Sequence, residues 1–390
     1  FFFIYLVIYA VYYAFYVLTA TKKNQIGIEK KYIANDLPSN IITIIYANEG
    51  NNSVINLVNM LKKQNYPKEN YQVHVLFDNV NDETPDIVSN YGDIKVWKIS
   101  KGSVMGKDEA LSWLLEKLIS FRNVNAFVFL DANRVVDENF LLDVNKSLFS
   151  NDVIVPATEY IVPVGDSVSA VKNSALKYYN RIFNTSRAVM KLINPIDIGA
   201  VVIKQEVLEV VRSVNFESRE SGYIYTFFLA NRGYIPVFAP DVVTKIKLED
   251  EVKLTFKEKL NVFKNAVSYC SNLKILEFLS TFLKPTALFV IFLYIAFFAF
   301  LYNFEVKNMF FYDAKFIAFG AVATFIIFLI SLLVASDRGI NPLFVMVSPA
   351  YQVLDFFFRR NKKQKPKEKV TEEKKEQDKI ICGNFEDIKV

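Results

Sequence analysis

The stretch AFVFLDANRVVDENF, residues 126–140, decides the fold. Its first part, Ala126-Phe-Val-Phe-Leu130, is an unbroken apolar run and reads as a strand buried on both faces. The run ends abruptly in Asp131-Ala-Asn133. Carboxylates where a buried strand emerges lie at the carboxyl edge of an α/β sheet, the edge at which such folds bind ligands. An Asp in that place also serves to cap the turn that follows it.

Working outward, the same alternation fills about Pro38 to Lys247. Ile41 to Tyr46 is a strand, and Val54 to Gln64 carries helical spacing at Val54, Leu57, Val58 and Leu61. Val73 to Phe77 is a second strand, ending in Asp78, and Ile94 to Ile99 a third, with a helix over Lys107 to Leu118 before the opening strand. Strands alternating with amphipathic helices predict an α/β fold, a mostly parallel sheet with helices on both faces, as one domain over residues 38–250.

The flanks are of a different kind. Residues 1–20 carry no charge and are followed by Thr21-Lys22-Lys23; 285–304 and 316–335 are also nearly uncharged. About 20 apolar residues match the thickness of a bilayer core, so three transmembrane helices are expected around the central domain. Lys22, Lys23, Lys30 and Lys31 place that domain in the cytoplasm of a multi-pass plasma-membrane protein by the positive-inside rule. Residues 254–283 interleave Phe256, Leu260, Phe263 and Val267 with Lys257, Lys259 and Lys264, the pattern of an interfacial basic helix. Residues 341–358 hold two prolines and Asp355 and are read as interfacial or re-entrant, and 359–390 as a charged, disordered tail whose basic start touches anionic lipid.

Composition excludes several chemistries. Hydrophobic residues make up 52% of the 390, with 36 Phe and 21 Tyr, which points toward lipid. The net charge of +5 comes largely from the tail and does not argue for nucleic acid; the bilayer is the expected partner. Cys270 and Cys382 stand far apart without a CxxC, so neither a zinc site nor a disulfide framework is indicated. The single histidine, His74, alternates with Val73 and Val75 and reads as structural, which sets aside histidine-based triads and metal sites.

Five stretches with chemical potential follow one another in the central domain. They are Tyr46-Ala-Asn48-Glu49-Gly50, the turn Asp78 to Thr84, Gly106-Lys107-Asp-Glu-Ala110-Leu111, Asp131-Ala-Asn133, and Asn231-Arg-Gly233-Tyr234 before an apolar run. In this order, and flanked by apolar segments, they resemble the processive, membrane-bound family 2 glycosyltransferases related to cellulose, chitin and hyaluronan synthases. The match to the family's "GKxxAL" at residues 106–111 is letter for letter, and Asp137-Glu-Asn-Phe140 also has the family's look. The resemblance implies a glycosyltransferase A-type, nucleotide-sugar-binding domain inserted between transmembrane helices. It implies Asn48, Glu49, Asp78 and Lys107 around the nucleotide, Asp131 and Asn133 on a divalent metal such as magnesium or manganese, and Phe263 against the acceptor sugar.

The chain departs from the family at three places. The second Asp of the family's "DxD" is Asn133 here, and a neutral amide is a poorer ligand for a hard cation than a carboxylate. Counting back from Gly233-Tyr234 to the family's catalytic "ED" lands on Ser221-Gly222, which leaves Glu220 or Glu217 to serve as base. The family's "QxxRW" aligns with Lys259 to Phe263, where Val262 replaces the Arg. Two functions follow from the resemblance. The first is an inverting hexosyltransferase that builds a cell-surface glycan from a nucleotide-diphosphate sugar on a glycan or lipid acceptor; the other is a catalytically silent subunit that binds nucleotide or scaffolds an active synthase.

Overall fold

The apolar runs are strands, and they join in one sheet. The computed structural model describes residues 2–21, 37–50, 52–99, 104, 106–118, 123–197, 199–212, 221–250, 295, 314–336 and 339–349. Its strands are β1 (Ile41–Ala47), β2 (Tyr71–Asp78), β3 (Ile94–Ile99), β4 (Ala126–Asp131), β5 (Val153–Tyr160), β6 (Ala200–Lys204) and β7 (Val237–Ile246). They lie in the order β3-β2-β1-β4-β6-β5-β7. β1 runs parallel to both β2 and β4, β2 to β3, and β5 to β7, whereas β6 is antiparallel to β4 and β5. The expected class, a mostly parallel α/β sheet, is the observed one, with the antiparallel β6 an addition to it. Pro156 in β5 has no N–H to give the ladder, and the register with β7 shifts between Pro156 and Ala157.

The described helices are α1 (Phe2–Thr21), α2 (Asn52–Lys62), α3 (Thr84–Ser89), α4 (Lys107–Leu118), α5 (Phe140–Leu148), α6 (Ser167–Tyr179), α7 (Thr185–Val189), α8 (Gln205–Arg212), α9 (Ser221–Asn231) and α10 (Ala314–Ala335). All seven residues of β1 are buried, which explains a run of Ile, Tyr and Ala interrupted only by Thr43: helices cover both faces. On one face Ile41, Ile45, Val73, Val128 and Leu130 pack against Val54, Leu57, Val58 and Leu61 of α2 and Phe140 of α5. On the other, Ile42, Ile44, Phe127 and Phe129 pack against Ala110, Leu114 and Leu118 of α4 and Leu229 of α9. Each of these aliphatic side chains, taken fully out of water, contributes about 1.5–3 kcal/mol.

His74 is the structural residue expected of it. It is fully buried in β2, its Nδ1 accepts from Trp97 Nε1 at 3.2 Å, and burial, helped by the charge of Lys95, pushes its pKa from 6.5 down to about 3. The folded state therefore refuses a proton that the unfolded chain takes up below about pH 6.5. The stability contributed is complete above that pH and declines as the pH falls toward 3, at up to about 1.4 kcal/mol per pH unit. Denaturant titrations at pH 7 and pH 5 are expected to show a loss that His74→Gln removes; an equal loss in both proteins would contradict the assignment.

Tyr160 at the end of β5 leads into α6 and α7, and this helical arm carries the pair α1 and α10. Tyr9, Tyr13, Tyr16 and Val17 of α1, Tyr178 and Ile182 of the arm, and Phe328, Leu332 and Ala335 of α10 form one buried cluster. Inside it the hydroxyls of Tyr13, Tyr178 and Ser331 bond one another, so the polar groups of three segments satisfy each other away from water. Arg181 Nη1 donates to the carbonyl of Ala20 at 2.7 Å, meeting one of the acceptors that the end of α1 leaves without an intrahelical partner. The outward sides remain apolar: Ile8, Val11, Phe15 and Leu18 on α1, and Phe319, Phe325, Ile326 and Leu333 on α10, are exposed.

Among the described residues, no helix is long and apolar enough to cross a membrane. α1 (Phe2–Thr21) and α10 (Ala314–Ala335) lie over two of the segments expected to span. The expected spans 1–20 and 316–335 are thus observed as helices. The segments 254–283 and 359–390 and most of 285–304 lie outside the described residues, as do residues 350–358. Of 341–358, residues 342–349 are helical.

Candidate functional site

The parallel strands bring the ends of β1, β2 and β4 to one edge, and the site is built there. Tyr46, next to last in β1, donates its hydroxyl to Asp78 Oδ2 at 2.9 Å, and the backbone N–H of Gly106 donates to the same oxygen at 3.0 Å. Gly106 has φ of +99°, a left-handed conformation in which a side chain would be strained, and α4 starts at the next residue. Asp78 thus pins the turn that aims Lys107. Lys107 bonds Asp131 Oδ1 at the end of β4 and lies 6.0 Å from the Tyr46 ring centroid. A lysine in the first turn of a helix is opposed by the helix dipole, and the Asp131 carboxylate compensates it.

A second pair lies beside the first. The turn after β4 closes through Arg134 N to Asp131 O at 3.0 Å, and Asp131 N donates to Gly199 O at 2.9 Å. The guanidinium of Arg134, 5% exposed, gives Nη2 to Asp197 Oδ2 at 2.6 Å and Nη1 to the hydroxyls of Thr158 at 3.0 Å and Thr244 at 3.3 Å. Asp197 Oδ1 also accepts from Gly199 N at 2.9 Å. Burial acts to raise the Asp197 carboxyl, but Arg134, the Gly199 amide and Lys107 outweigh it and hold it below the usual carboxylate range. A Cβ on Gly199 would stand 2.3 Å from Arg134 Nη2 and 3.0 Å from Asp131 Oδ2, so both groups converge on this glycine, where only hydrogen fits. The side chains of Asp131, Asp197 and Lys107 stay 33%, 40% and 21% accessible.

Of the expected site residues, the structure brings together Asp78, Lys107 and Asp131. Asp78, expected against a nucleotide base, is fully buried, with two donors on one oxygen. Asn48 and Glu49 are exposed on the turn after β1. That turn packs on the one after β2, since the Cβ direction of Gly50 is filled by the Asp82 carboxylate. Asn133 is partly buried, and its Oδ1 is closed off without a hydrogen-bond partner among the described residues. Glu217, Glu220 and Phe263 lie outside the described residues. Gly233-Tyr234, the landmark for the base, is the cap of α9. Gly233 has φ of +92°, and its N–H and that of Tyr234 close on the carbonyls of Ala230 and Leu229. Asp137 and Phe140 of the DENF stretch start α5, where the buried Gln64 donates to Asp137 O at 2.6 Å and accepts from Leu141 N at 2.9 Å.

Arg134, Asp197 and Gly199 were not expected at the site, and Tyr46 was expected there without a role. Arg134 had a visible signal, its place directly after the acidic motif. Asp197 and Gly199 had none, because they arrive with the antiparallel β6.

The resemblance implies a divalent metal at these side chains. A hard divalent cation needs several oxygen donors with net negative charge. Here Asp131 is bonded to Lys107, Asp197 to Arg134, and Asn133 offers a neutral carbonyl closed to solvent. Among the described residues, no three carboxylate, His or Cys side chains gather for a metal ion. The described set does not fit a two-carboxylate metal site.

No family model matches the chain, and no curated protein does. Among solved structures, the mannosyltransferase PcManGT from Pyrobaculum calidifontis, in complex with GDP-Man and Mn2+, is 13% identical over 90% of this chain and 91% of that one, with a TM-score of 0.46. S. aureus TarS in complex with UDP-GlcNAc is 16% identical over 58% and 66%, with a TM-score of 0.41. GalNAc-T7 with UDP, GalNAc and Mn2+ is 14% identical over 60% and 48%, with a TM-score of 0.43. Likeness at this level describes resemblance and carries no functional argument.

Proposed function

We propose that the chain is a membrane-seated glycosyltransferase that moves a sugar from a nucleotide diphosphate to a glycan or lipid acceptor. The observation that carries this reading is the meeting of Lys107 and Asp131 at the carboxyl edge of the sheet, held by Asp78 through Gly106. Three of the five stretches that resemble family 2 synthases, those of Asp78, Lys107 and Asp131, thereby meet in space. In the reaction an acceptor hydroxyl forms a bond to the anomeric carbon as the bond from that carbon to the diphosphate breaks. The hydroxyl proton passes to a base, for which the sequence offers Glu220, and the leaving diphosphate takes the bonding electrons and needs a cation. Lys107 is placed to supply one. Attack opposite the leaving group inverts the anomeric centre, and Phe263 is the proposed stacking surface for the acceptor.

The apolar outer sides of α1 and α10 support a bilayer as their solvent, with the sheet domain on the cytoplasmic side of the plasma membrane. The helical arm that holds them follows the end of β5, the same edge as the site, so an acceptor arriving along the membrane meets the sugar donor near its surface.

The test is release of UDP or GDP from a panel of nucleotide hexoses by the full chain in lipid vesicles, with and without added glycan. Release that falls about 10²-fold in Asp131→Ala, which frees Lys107 from its place at the leaving diphosphate, is the expected result. Nucleotide binding without turnover would overturn the transferase and establish the silent, nucleotide-binding subunit in its place.

A further inference from the structure

We infer that the diphosphate in this site is neutralised by Lys107 in place of a divalent cation, so that nucleotide binding is independent of metal. This deepens the glycosyltransferase reading and rests on it. Three features of the chain's own side chains lead to it.

The first is the charge count. Asp131 and Asp197 are offset one for one by Lys107 and Arg134. The third carboxylate of the site, Asp78, is buried and already accepts from the Tyr46 hydroxyl and the Gly106 N–H, so a divalent cation would have to displace an ammonium from Asp131 Oδ1 while the Arg134 guanidinium stands across Gly199 from Asp131 Oδ2. A diphosphate meets the reverse situation. It brings its own negative charge, and Lys107 exchanges one anionic oxygen for another.

The second is the acidic motif itself. Its second position is Asn133, and that carbonyl oxygen is closed to solvent, so the motif presents one carboxylate where a metal clamp uses two. The third is the construction around Lys107. A left-handed glycine precedes it, a fully buried carboxylate holds that glycine's N–H, and the Tyr46 ring lies alongside the ammonium. A solvated surface lysine needs no such support, whereas a cation that must meet a phosphate at a fixed point does.

The experiment is isothermal titration of UDP and of GDP into the full chain in lipid nanodiscs, in EDTA and again in millimolar manganese. Wild-type affinity for the bound nucleotide is expected to be the same within about two-fold in both solutions. Lys107→Gln is expected to weaken binding in EDTA by about 10- to 100-fold, the worth of one charge-assisted contact, while Lys107→Arg, which keeps the charge, retains most of it. Loss of wild-type binding in EDTA, or unchanged binding by Lys107→Gln, overturns the inference and leaves the glycosyltransferase reading standing. Absence of binding to either nucleotide in both solutions overturns the two together.

Discussion

Arg134→Met is expected to destabilise the sheet domain by about 3 kcal/mol, the low end for a broken buried ion pair. The guanidinium is 5% exposed and bonds three side chains at once, Asp197, Thr158 and Thr244. Removing it takes the counter-charge from Asp197, which keeps the Gly199 N–H and the Thr158 hydroxyl, and takes a donor from the Thr158 and Thr244 hydroxyls. The cost stays at the low end because the Asp197 side chain is 40% accessible and water can take over part of the lost solvation. The double variant Arg134→Met/Asp197→Asn is expected to recover a substantial part of that loss, since no buried charge is left unpaired. Chemical denaturation of the four proteins in the cycle measures the coupling. A double variant as unstable as the sum of the singles would show that the pair is not coupled.

Asp78→Ala is the second large effect. It leaves the Tyr46 hydroxyl and the Gly106 N–H without the oxygen they share, at about 1–3 kcal/mol for each buried donor. It also releases the turn that aims Lys107, so UDP or GDP affinity is expected to fall by at least about ten-fold, as it does when Lys107 itself is changed. Asp78→Asn keeps one acceptor oxygen in place and is expected to retain more of both properties. Denaturation midpoints and nucleotide titrations report the two effects separately. Full affinity in Asp78→Ala would show that the turn holds its form without the carboxylate, and the role assigned to Asp78 would have to be given up.

The two variants also show how far residue types alone carry a reading. Asp78, Lys107 and Asp131 were all recognisable along the chain, because each sits where a strand ends or a helix starts and because the GK motif is specific. Their division of labour was not. Asp78 reads in the chain as a ligand for the nucleotide, and in the fold it is also buried and holds the turn before Lys107; Lys107 reads as one of several phosphate contacts, and in the fold it is the partner of Asp131. Asn133 was visible as a departure from the family, but the closure of its carbonyl depends on packing that no local pattern records.

Local patterning determined the strands β1 to β4, the helices α2 and α4, the structural place of His74 and the parallel class, because buried strands and amphipathic helices leave short-range periodicities in the chain. Tertiary structure alone decided the rest of the site. Arg134 and Asp197 are 63 positions apart in sequence, and they meet because β6 enters the sheet antiparallel, next to β4. Thr244 reaches the same guanidinium from β7, 110 positions away. Pairing between strands so distant is set by the order of the sheet, and the balance of charge around Asp131 is set with it.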